Sequence, residues 1–223
     1  MRVLIVEDEA RLAGNIVRGL RESAGYAVDQ ASDGAEGSYM ARSNPYDLVI
    51  LDLMLPEMDG RTVLRRLRED GFTFPILVLT ARDDKETIVS VLNDGADDYV
   101  SKPFDLGELI ARSKALIRRA KGHSATNLLV GNIEINTANR SVQRDGKPVL
   151  LTGMEYRVLE YLVYRRGAVV TKTELLEHLY DFNWERFSNV IEVYISGLRR
   201  KLEDDASSKV IRTIRGHGYT LEG

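Results

Sequence analysis

Five short apolar runs alternate with amphipathic stretches over the first 120 residues. The runs predict β-strands at 3–6, 27–31, 48–51, 76–79 and 98–101. The stretches that follow them repeat apolar residues at helical spacing and predict helices at 12–22, 35–43, 61–68, 85–94 and 106–119. Strands rich in Val, Ile and Leu indicate burial on both faces, as in a parallel sheet. Five such units predict a doubly wound, five-stranded parallel α/β domain over residues 1–120.

The pattern changes after residue 120. Residues 121–127 are small or polar and lack periodicity, which predicts a linker. Short strands broken by turn residues follow over 128–151. Helical patterns then occupy 153–165, 172–180 and 188–203, and a β-hairpin is predicted over 209–222. The α/β domain is therefore expected to be followed by an α+β domain over 128–223.

Composition narrows the classes of function. The chain has no cysteine, which excludes disulfides, thiol chemistry and cysteine-based metal sites. No apolar run approaches the roughly 18 residues that a membrane helix needs, so we expect a cytoplasmic protein with no membrane partner. The net charge is −3, but residues 1–123 hold 17 basic and 21 acidic residues, whereas the remainder holds 14 and 13. DNA binding must therefore be argued from local basic clusters.

Five polar residues stand at the ends of four predicted strands. They are Glu7 and Asp8 after the first strand, Asp52 at the end of the third, Thr80 at the end of the fourth and Lys102 after the fifth. Ligands of an open α/β sheet bind beyond the carboxyl ends of its strands, so we expect these side chains to converge. Adjacent carboxylates repel one another unless a cation lies among them, and open oxygen sites suit Mg²⁺. A carboxylate can attack phosphorus to form an acyl phosphate, while a metal and a lysine balance the charge.

Each of these residues also has an ordinary structural interpretation. A lone Asp at a strand end is usually a helix N-cap, a lone Thr is usually a turn residue, and a lone Lys is usually solvated. The coincidence of all five at one edge of the sheet favours a phosphoryl-transfer site, in which Thr80 hydrogen-bonds a phosphoryl oxygen.

Four motifs surround these positions: Val-Glu-Asp-Glu at 6–9, Leu-Asp-Leu-Met-Leu-Pro-Glu-Met-Asp-Gly at 51–60, Leu-Thr-Ala-Arg at 79–82 and Gly-Ala-Asp-Asp-Tyr-Val-Ser-Lys-Pro-Phe at 95–104. Together they resemble the receiver domain of bacterial two-component response regulators. The resemblance implies that Asp52 accepts a phosphoryl group from a sensor histidine kinase and that Lys102 pairs with that group. It also implies a Mg²⁺ site formed by Asp8, Asp52 and the Met54 carbonyl, with Glu7 assisting through water.

The same resemblance assigns a switch to Thr80 and Tyr99. Thr80 is expected to move toward the phosphate, and Tyr99 is expected to rotate into the vacated space. The alternative for Tyr99 is a half-buried aromatic residue of a strand. The bond between Lys102 and Pro103 is expected to be cis, as the resemblance implies.

Similarity to the OmpR/PhoB subfamily implies a homodimer formed through the fourth helix, fifth strand and fifth helix. The expected apolar centre consists of Ile88, Leu92 and Ala111. The charged residues expected on this face are Asp97, Asp98, Glu108, Arg112 and Arg119. A lysine would be expected near position 88 to meet Glu108, and Ile88 puts that ion pair in doubt. Exposed pairs add about 0–1 kcal/mol each, so they set register more than affinity. An ordinary solvated helix face is the alternative.

The third helix of the second domain combines an apolar stripe with a basic end. We predict an N-cap at Ser188. The predicted buried stripe consists of Val190, Val193, Ile195, Leu198 and Leu202. Arg199, Arg200 and Lys201 cluster in the C-terminal half. Such a helix can enter a DNA major groove, although a short basic run is more often a solvated helix end.

The last segment predicts a hairpin with Arg215 at its tip, where an arginine can enter a narrow minor groove. With Leu-Thr-Gly-Met-Glu-Tyr at 151–156, the third helix and the hairpin resemble the winged helix-turn-helix effector domain of the OmpR/PhoB subfamily. We expect DNA contacts, mostly to phosphates, from Arg199, Arg200 and Arg215. Further candidate readers of bases or backbone are Asn189, Glu192, Tyr194 and Ser196. In some relatives arginines stand in place of Ser196 and Gly197, so the target sequence does not transfer. Gly197 fits close helix packing at least as well as close approach to DNA.

The predicted protein is a response regulator in which phosphorylation of Asp52 promotes dimerisation and sequence-specific binding of double-stranded DNA. RNA polymerase is a further candidate partner. Two alternatives stay open. A phosphatase of the haloacid-dehalogenase type also uses a strand-end aspartate, Mg²⁺, Thr and Lys, but Met54 occupies the position of its second acid. The other alternative is a phosphorylation-independent DNA-binding protein with a vestigial receiver domain.

Overall fold

The structure is a computed structural model that describes residues 1–81, 85–181, 189–203 and 209–222. The chain divides into two compact units, one made of residues 1–120 and the other of most residues from 121 onward. The bounds of the linker at 121–127 stay a prediction. Within the described ranges, no helix combines the length and apolar character that would let it cross a membrane.

The first unit alternates strands and helices. Its strands are β1 (Arg2–Val6), β2 (Ala27–Ala31), β3 (Leu48–Asp52), β4 (Ile76–Thr80) and β5 (Asp98–Ser101). Its helices are α1 (Ala10–Gly19), which continues as a π-helical turn over Leu20–Ala24, α2 (Gly34–Ser43), α3 (Gly60–Glu69), α4 (Lys85–Asn93) and α5 (Leu106–Ala120). All strand pairs are parallel, in the order β2-β1-β3-β4-β5. The predicted five-stranded doubly wound domain is confirmed.

Every residue of β1, β3 and β4 is buried, because the central strands of the sheet are covered on both faces. The strand ends differ slightly from the sequence prediction. β3 and β4 each extend one residue further, to Asp52 and Thr80, so both polar residues are held by the sheet itself. This backbone pairing fixes the position of Asp52 and Thr80 more firmly than a loop would.

Arginines of α3 hold the end of α4 and the turn that follows it. Arg61 and Arg65 both bind the carboxylate of Asp94, and the Arg65 Nε–Asp94 Oδ1 distance is 2.9 Å. Arg68 pairs with Asp97 at 2.8 Å. Burial acts to raise the pKa of Asp94, but hydrogen bonds from the two arginines lower it overall. Val91 of α4 is buried in the apolar core, and the ion pairs tie the turn after α4 to α3.

The second unit combines a small sheet, three helices and a hairpin. The sheet is antiparallel and contains β6 (Asn127–Val130), β7 (Ile133–Asn136), β8 (Ser141–Arg144) and β9 (Lys147–Pro148). The helices are α6 (Gly153–Tyr164), α7 (Lys172–Leu179) and α8 (Val190–Leu202), and the hairpin pairs β10 (Ile211–Ile214) with β11 (Gly218–Leu221). The predicted α+β arrangement of strands, helices and a terminal hairpin is confirmed.

The apolar stripe of α8 differs from the prediction. The buried residues are Ile191, Ile195, Leu198 and Leu202, which follow the four-three-four spacing of one helix face. Val193 points the other way and is 66% exposed, so its placement in the stripe was wrong. The N-cap predicted at Ser188 lies outside the described residues. In the structure the helix follows Asn189, whose side chain makes no capping hydrogen bond.

Candidate functional site: an acidic pocket and a nucleic-acid interface

Three carboxylates meet at the carboxyl edge of the parallel sheet. Glu7, Asp8 and Asp52 each offer an oxygen atom, and these atoms lie within 4.8 Å of one another. Glu7 and Asp52 are almost fully buried, whereas Asp8 is exposed. The residues converge because β1 and β3 are adjacent and parallel, so their ends reach the same edge. The predicted cluster is therefore present.

Lys102 lies against two of these carboxylates. Its Nζ donates to Glu7 Oε2 at 2.7 Å and to Asp52 Oδ2 at 2.5 Å. Its backbone N–H donates to the Thr80 carbonyl at 2.7 Å, which ties the lysine to the end of β4. The peptide bond between Lys102 and Pro103 is cis, as predicted. The lysine therefore lies beside the Asp52 carboxylate, and its pairing with a phosphoryl group stays a prediction.

The ionisation of the pocket follows from this arrangement. Burial, with a further contribution from the charge of Asp52, raises the pKa of Glu7 despite the hydrogen bond from Lys102. Burial acts to lower the pKa of Lys102, but its hydrogen bonds to Asp52 and Glu7 raise the pKa overall. Lys102 therefore stays protonated. The pocket contains one lysine cation beside three closely spaced carboxyl groups.

The loop between β3 and α3 closes one side of the pocket. The Met54 N–H donates to Asp52 Oδ1 at 2.9 Å, which orients the carboxylate. The loop turns back sharply enough that the Gly60 N–H donates to the Leu53 carbonyl at 2.9 Å. A Cβ atom at Gly60 would overlap the Asp52 carbonyl oxygen and lie 2.8 Å from its carbon. Sequence reasoning named the Met54 carbonyl but missed the role of the Met54 N–H in holding Asp52.

The donor set of the pocket fits a small, hard divalent cation. Carboxylate oxygens and backbone carbonyls are the ligands that Mg²⁺ prefers, and three carboxylates at this spacing need a countercharge. Lys102 supplies a single positive charge to two of them, which leaves the cluster negative. The residues present therefore agree with the cation that the resemblance implies.

Thr80 and Tyr99 occupy neighbouring strands. Thr80 is buried at the end of β4, and Tyr99 is half-buried on β5, where it pairs in register with Val78 and packs against the apolar core. A cavity of about 190 Å³ adjoins Thr80, and Met54 and Val91 also line it. Space therefore exists beside Thr80 between the β3–α3 loop and α4.

The predicted dimer face is partly apolar and exposed. Leu92 is 41% exposed, Ala111 is exposed, and Ile88 is half-buried. Val89, which sequence reasoning missed, is 56% exposed and adds to this patch. Exposed apolar side chains therefore lie on α4 and α5 at the predicted face.

Several charges of this face already have partners within the chain. Arg112 pairs with Asp98 at 2.9 Å and with Glu108 at 2.8 Å. Asp97 pairs with Arg68 and also accepts from the Ile76 N–H at 2.8 Å. An intermolecular pair to Asp97 would therefore compete with these internal contacts. Arg119 is exposed and lines a surface hollow together with Asp97.

In the second unit, α8 presents a mixed polar and apolar face to solvent. Asn189, Val193, Ser196 and Arg200 are all exposed and recur at three- to four-residue spacing along one side. Tyr194 is half-buried beside this face. The hairpin turn carries an exposed Arg215, as predicted. A basic end, polar side chains and a central valine are typical of a helix that reads a DNA groove.

Two predicted DNA contacts are engaged within the unit instead. The Arg199 guanidinium donates to the Ile211 carbonyl at 2.8 Å and to Thr213 Oγ1 at 2.8 Å, so it ties α8 to the hairpin. Glu192 is paired with Lys172 of α7, and this hydrogen bond lowers the pKa of its carboxyl. Both residues therefore have partners within the unit, and their contact with DNA stays a prediction.

Gly197 lets α6 approach α8. A Cβ atom at Gly197 would overlap Glu155 Oε1. Glu155 belongs to a capping box with Thr152 at the start of α6, and it accepts from Lys201 Nζ at 2.6 Å. The Glu155 carboxylate therefore occupies the space that a side chain at position 197 would need.

The Glu155–Lys201 pair should make the second unit sensitive to acid. Burial acts to raise the pKa of Glu155, but hydrogen bonds from Lys201 and Thr152 lower it overall. A lowered carboxyl pKa stabilises the fold above the unfolded pKa, and that stabilisation is lost as the pH falls through the folded pKa. We expect Glu155→Gln to lower the free energy of unfolding at pH 7 by about 1–3 kcal/mol and to flatten its decline below about pH 4.5. Urea unfolding followed by circular dichroism between pH 3 and about pH 7 measures both effects. Glu134→Gln, on β7 of the small sheet, is the control, and an unchanged pH profile in Glu155→Gln would contradict the assignment.

Comparison with known proteins gives the same division of the chain. The response regulator receiver domain family matches residues 3–114, and the family described as transcriptional regulatory protein, C terminal, matches residues 146–221. The transcriptional regulatory protein PcoR of Escherichia coli is 42% identical over 221 residues, which cover 99% of this chain and 97% of PcoR. The transcriptional activator protein IrlR of Burkholderia pseudomallei (strain 1026b) is 43% identical over 222 residues, which cover 100% of this chain and 96% of IrlR. The solved receiver domain of the Francisella response regulator 1452 matches with a TM-score of 0.52 at 35% identity, over 53% of this chain and 97% of that chain.

A parallel α/β unit with an acidic pocket, followed by an α+β unit with an exposed helix face, defines a two-domain regulator of transcription. The chain belongs to the OmpR/PhoB subfamily of two-component response regulators. It is a transcription regulator.

Proposed function

We propose that Asp52 is the phosphoacceptor through which a sensor histidine kinase controls this regulator. A carboxylate oxygen of Asp52 attacks the phosphorus of a phosphohistidine, the phosphorus–nitrogen bond breaks, and the imidazole leaves and takes up a proton. The observation that carries the proposal is the placement of Asp52 at the end of β3, with a cation on one oxygen and an N–H on the other. These contacts leave the carboxylate fixed in orientation at an edge that a donor can approach.

Glu7, Asp8, Asp52 and the backbone at Met54 are the residues that would hold Mg²⁺. The cation supplies charge neutralisation for the phosphoryl oxygens when it is bound. Within the pocket, Lys102 keeps its proton and pairs with a phosphoryl oxygen as negative charge accumulates on Asp52. The clustered carboxylates and the fixed lysine support this division of roles.

Thr80 and Tyr99 form the switch in this proposal. Thr80 turns toward the phosphoryl group and hydrogen-bonds one of its oxygens. The cavity beside Thr80 gives Tyr99 space to move inward. The phosphoryl group thereby biases a two-state element toward one conformation.

The phosphorylated form dimerises through the face of α4, β5 and α5 in this proposal. The exposed Val89 and Leu92 and the half-buried Ile88 form its apolar centre. Arg112 and its partners orient the contact more than they stabilise it, because exposed ion pairs add little free energy. A dimer then brings two α8 helices to DNA half-sites about one helical turn apart.

Asn189, Val193, Ser196 and Arg200 form the DNA-reading face of α8, and Arg215 reaches the minor groove. Arg200 lies near the end of α8 and contacts phosphate, which positions the helix without specifying sequence. Val193 gives the face an apolar centre that suits the methyl group of thymine. The proposed path from kinase to DNA lies in the cytoplasm, and RNA polymerase is the next partner of a regulator bound beside a promoter.

The proposal is tested by footprinting on a selected operator, with and without a small-molecule phosphodonor and Mg²⁺. We expect protection of two half-sites at a regulator concentration about 10–100-fold lower after phosphorylation, because dimerisation joins two weak contacts. Sedimentation should show the parallel change from monomer to dimer. Equal operator affinity without the donor would instead favour a DNA-binding protein with a vestigial receiver domain.

A further inference from the structure

The helix α2 begins against the loop that closes the acidic pocket. Its first residue, Gly34, is buried, and its N–H donates to the Pro56 carbonyl at 3.3 Å. The Met58 N–H donates to the same Pro56 carbonyl at 2.7 Å. The Pro56 carbonyl therefore accepts one hydrogen bond from within the β3–α3 loop and one from the first residue of α2.

The contact at Gly34 leaves no space for a side chain. A Cβ atom built there would overlap the Met58 carbonyl oxygen and lie 2.8 Å from its carbonyl carbon. Backbone atoms cannot rotate aside as the end of a side chain can. Gly34 does not have a positive φ, so its backbone conformation is open to any residue. Glycine is therefore required at position 34 because a side chain would overlap the Met58 carbonyl, and not because of the backbone conformation.

The start of α2 is itself firmly placed. Asp33 caps the helix and accepts from the Glu36 N–H at 2.8 Å, and Glu36 Oε2 in turn accepts from the Ser32 N–H at 3.0 Å. These two hydrogen bonds fix the first turn of α2 to the residues before it. A rigid helix start in backbone contact with a loop holds that loop in position.

We propose that Gly34 is a positioning residue for the phosphoacceptor pocket: it allows α2 to hold the β3–α3 loop where the Met54 backbone faces Asp52. The loop is anchored at its other end by Gly60, whose missing side chain admits the Asp52 carbonyl. Two glycines at the starts of two helices thus hold the loop from both sides. This inference rests on the proposed role of the pocket in binding Mg²⁺ and accepting a phosphoryl group.

The test is Mg²⁺ titration by calorimetry of the full chain and of the Gly34→Ala variant. The added methyl group must displace the Met58 carbonyl, and the displacement is passed along the loop to Met54. Loss of an outer support of a metal site typically costs 10–100-fold in affinity, so we expect Mg²⁺ to bind about tenfold more weakly or worse. The rate of phosphorylation by a small phosphodonor at saturating Mg²⁺ should fall as well.

Two glycine variants separate positioning from stability. Gly14→Ala on α1 adds a methyl group in open space. It should leave the Mg²⁺ affinity unchanged and should leave thermal stability unchanged or raise it. Gly95→Ala precedes β5 at the opposite edge of the sheet, where φ is +105° and a Cβ atom would lie 2.8 Å from Arg68 Cγ. This second variant should lower the melting temperature but leave the Mg²⁺ affinity unchanged.

Amide exchange in the unmodified protein tests the same inference if Gly34→Ala does not fold. Mg²⁺ should slow hydrogen exchange at the Gly34 N–H, because it orders the loop whose Pro56 carbonyl accepts that hydrogen bond, and it should leave the Gly37 N–H unchanged. An unchanged Gly34 rate, or a Gly34→Ala variant that binds Mg²⁺ as the unmodified chain does, overturns the inference. Absence of Mg²⁺ binding in the unmodified chain would overturn the proposed function instead.

Discussion

Replacing Asp52 with asparagine is expected to abolish the phosphoryl adduct. The amide keeps the size of the side chain but removes the nucleophilic oxygen, so labelling by a phosphodonor should fall by about two orders of magnitude or more. Mass spectrometry of the intact chain with Mg²⁺ measures the adduct, and hydroxylamine should release it if it is an acyl phosphate. Loss of the adduct should also remove the dependence of operator affinity on the donor.

The Asp52→Asn variant should remain folded. Asp52 contributes to the raised pKa of Glu7, so removing its charge relieves a repulsion, while Lys102 keeps its bond to Glu7. Asp70→Asn is the control for the same substitution. Asp70 is an exposed acid at the end of α3, and it pairs with Arg42 of α2. Full labelling of Asp52→Asn would show that another residue accepts the phosphoryl group.

Replacing Val193 with glutamate is expected to remove specific DNA binding. Val193 is 66% exposed at the centre of the outward face of α8, so the new charge would face the phosphates and bases of the groove. Like charges forced together at an interface cost several kcal/mol, which corresponds to a loss of about 100-fold in operator affinity. Fluorescence anisotropy with an operator duplex at fixed salt measures the loss.

Leu129→Glu provides a matched control for the charge. Leu129 lies on β6 in the same unit and is 65% exposed, so it tolerates the same substitution with little effect on stability. Its operator affinity should stay close to that of the unmodified protein, and both variants should accept the phosphoryl group normally. Equal loss in the two variants would point to net charge, and no loss in Val193→Glu would remove α8 from the interface.

The behaviour of α8 explains where sequence reasoning failed. Val190, Val193 and Ile195 are all apolar, but they do not lie on one side of a helix. The buried side is set by Ile191, which the prediction left out, together with Ile195. The four-three-four spacing of the buried residues was a usable signal, because only one apolar set fits a single helix face throughout.

Arg199 and Asp97 have contacts within the chain that the sequence did not reveal. Both were placed at interfaces from their charge and position, yet Arg199 bonds the hairpin backbone and Asp97 bonds Arg68 and the start of β4. These partners lie far away in sequence or on another element. Local patterns carry no information about such contacts, because a charged side chain has many candidate partners until the chain is folded.

The sequence by itself determined the alternation of strands and helices, the order of the two domains and the residues of the acidic pocket. It did so because strand ends in a parallel sheet share one edge, which converts positions along the chain into neighbours in space. Only the tertiary structure decided which backbone groups hold Asp52, why Gly34 and Gly197 lack side chains, and which partners Arg199 and Asp97 contact. Those features depend on close approaches of segments far apart in sequence, where a single atom of excess volume or a single competing hydrogen bond decides the outcome.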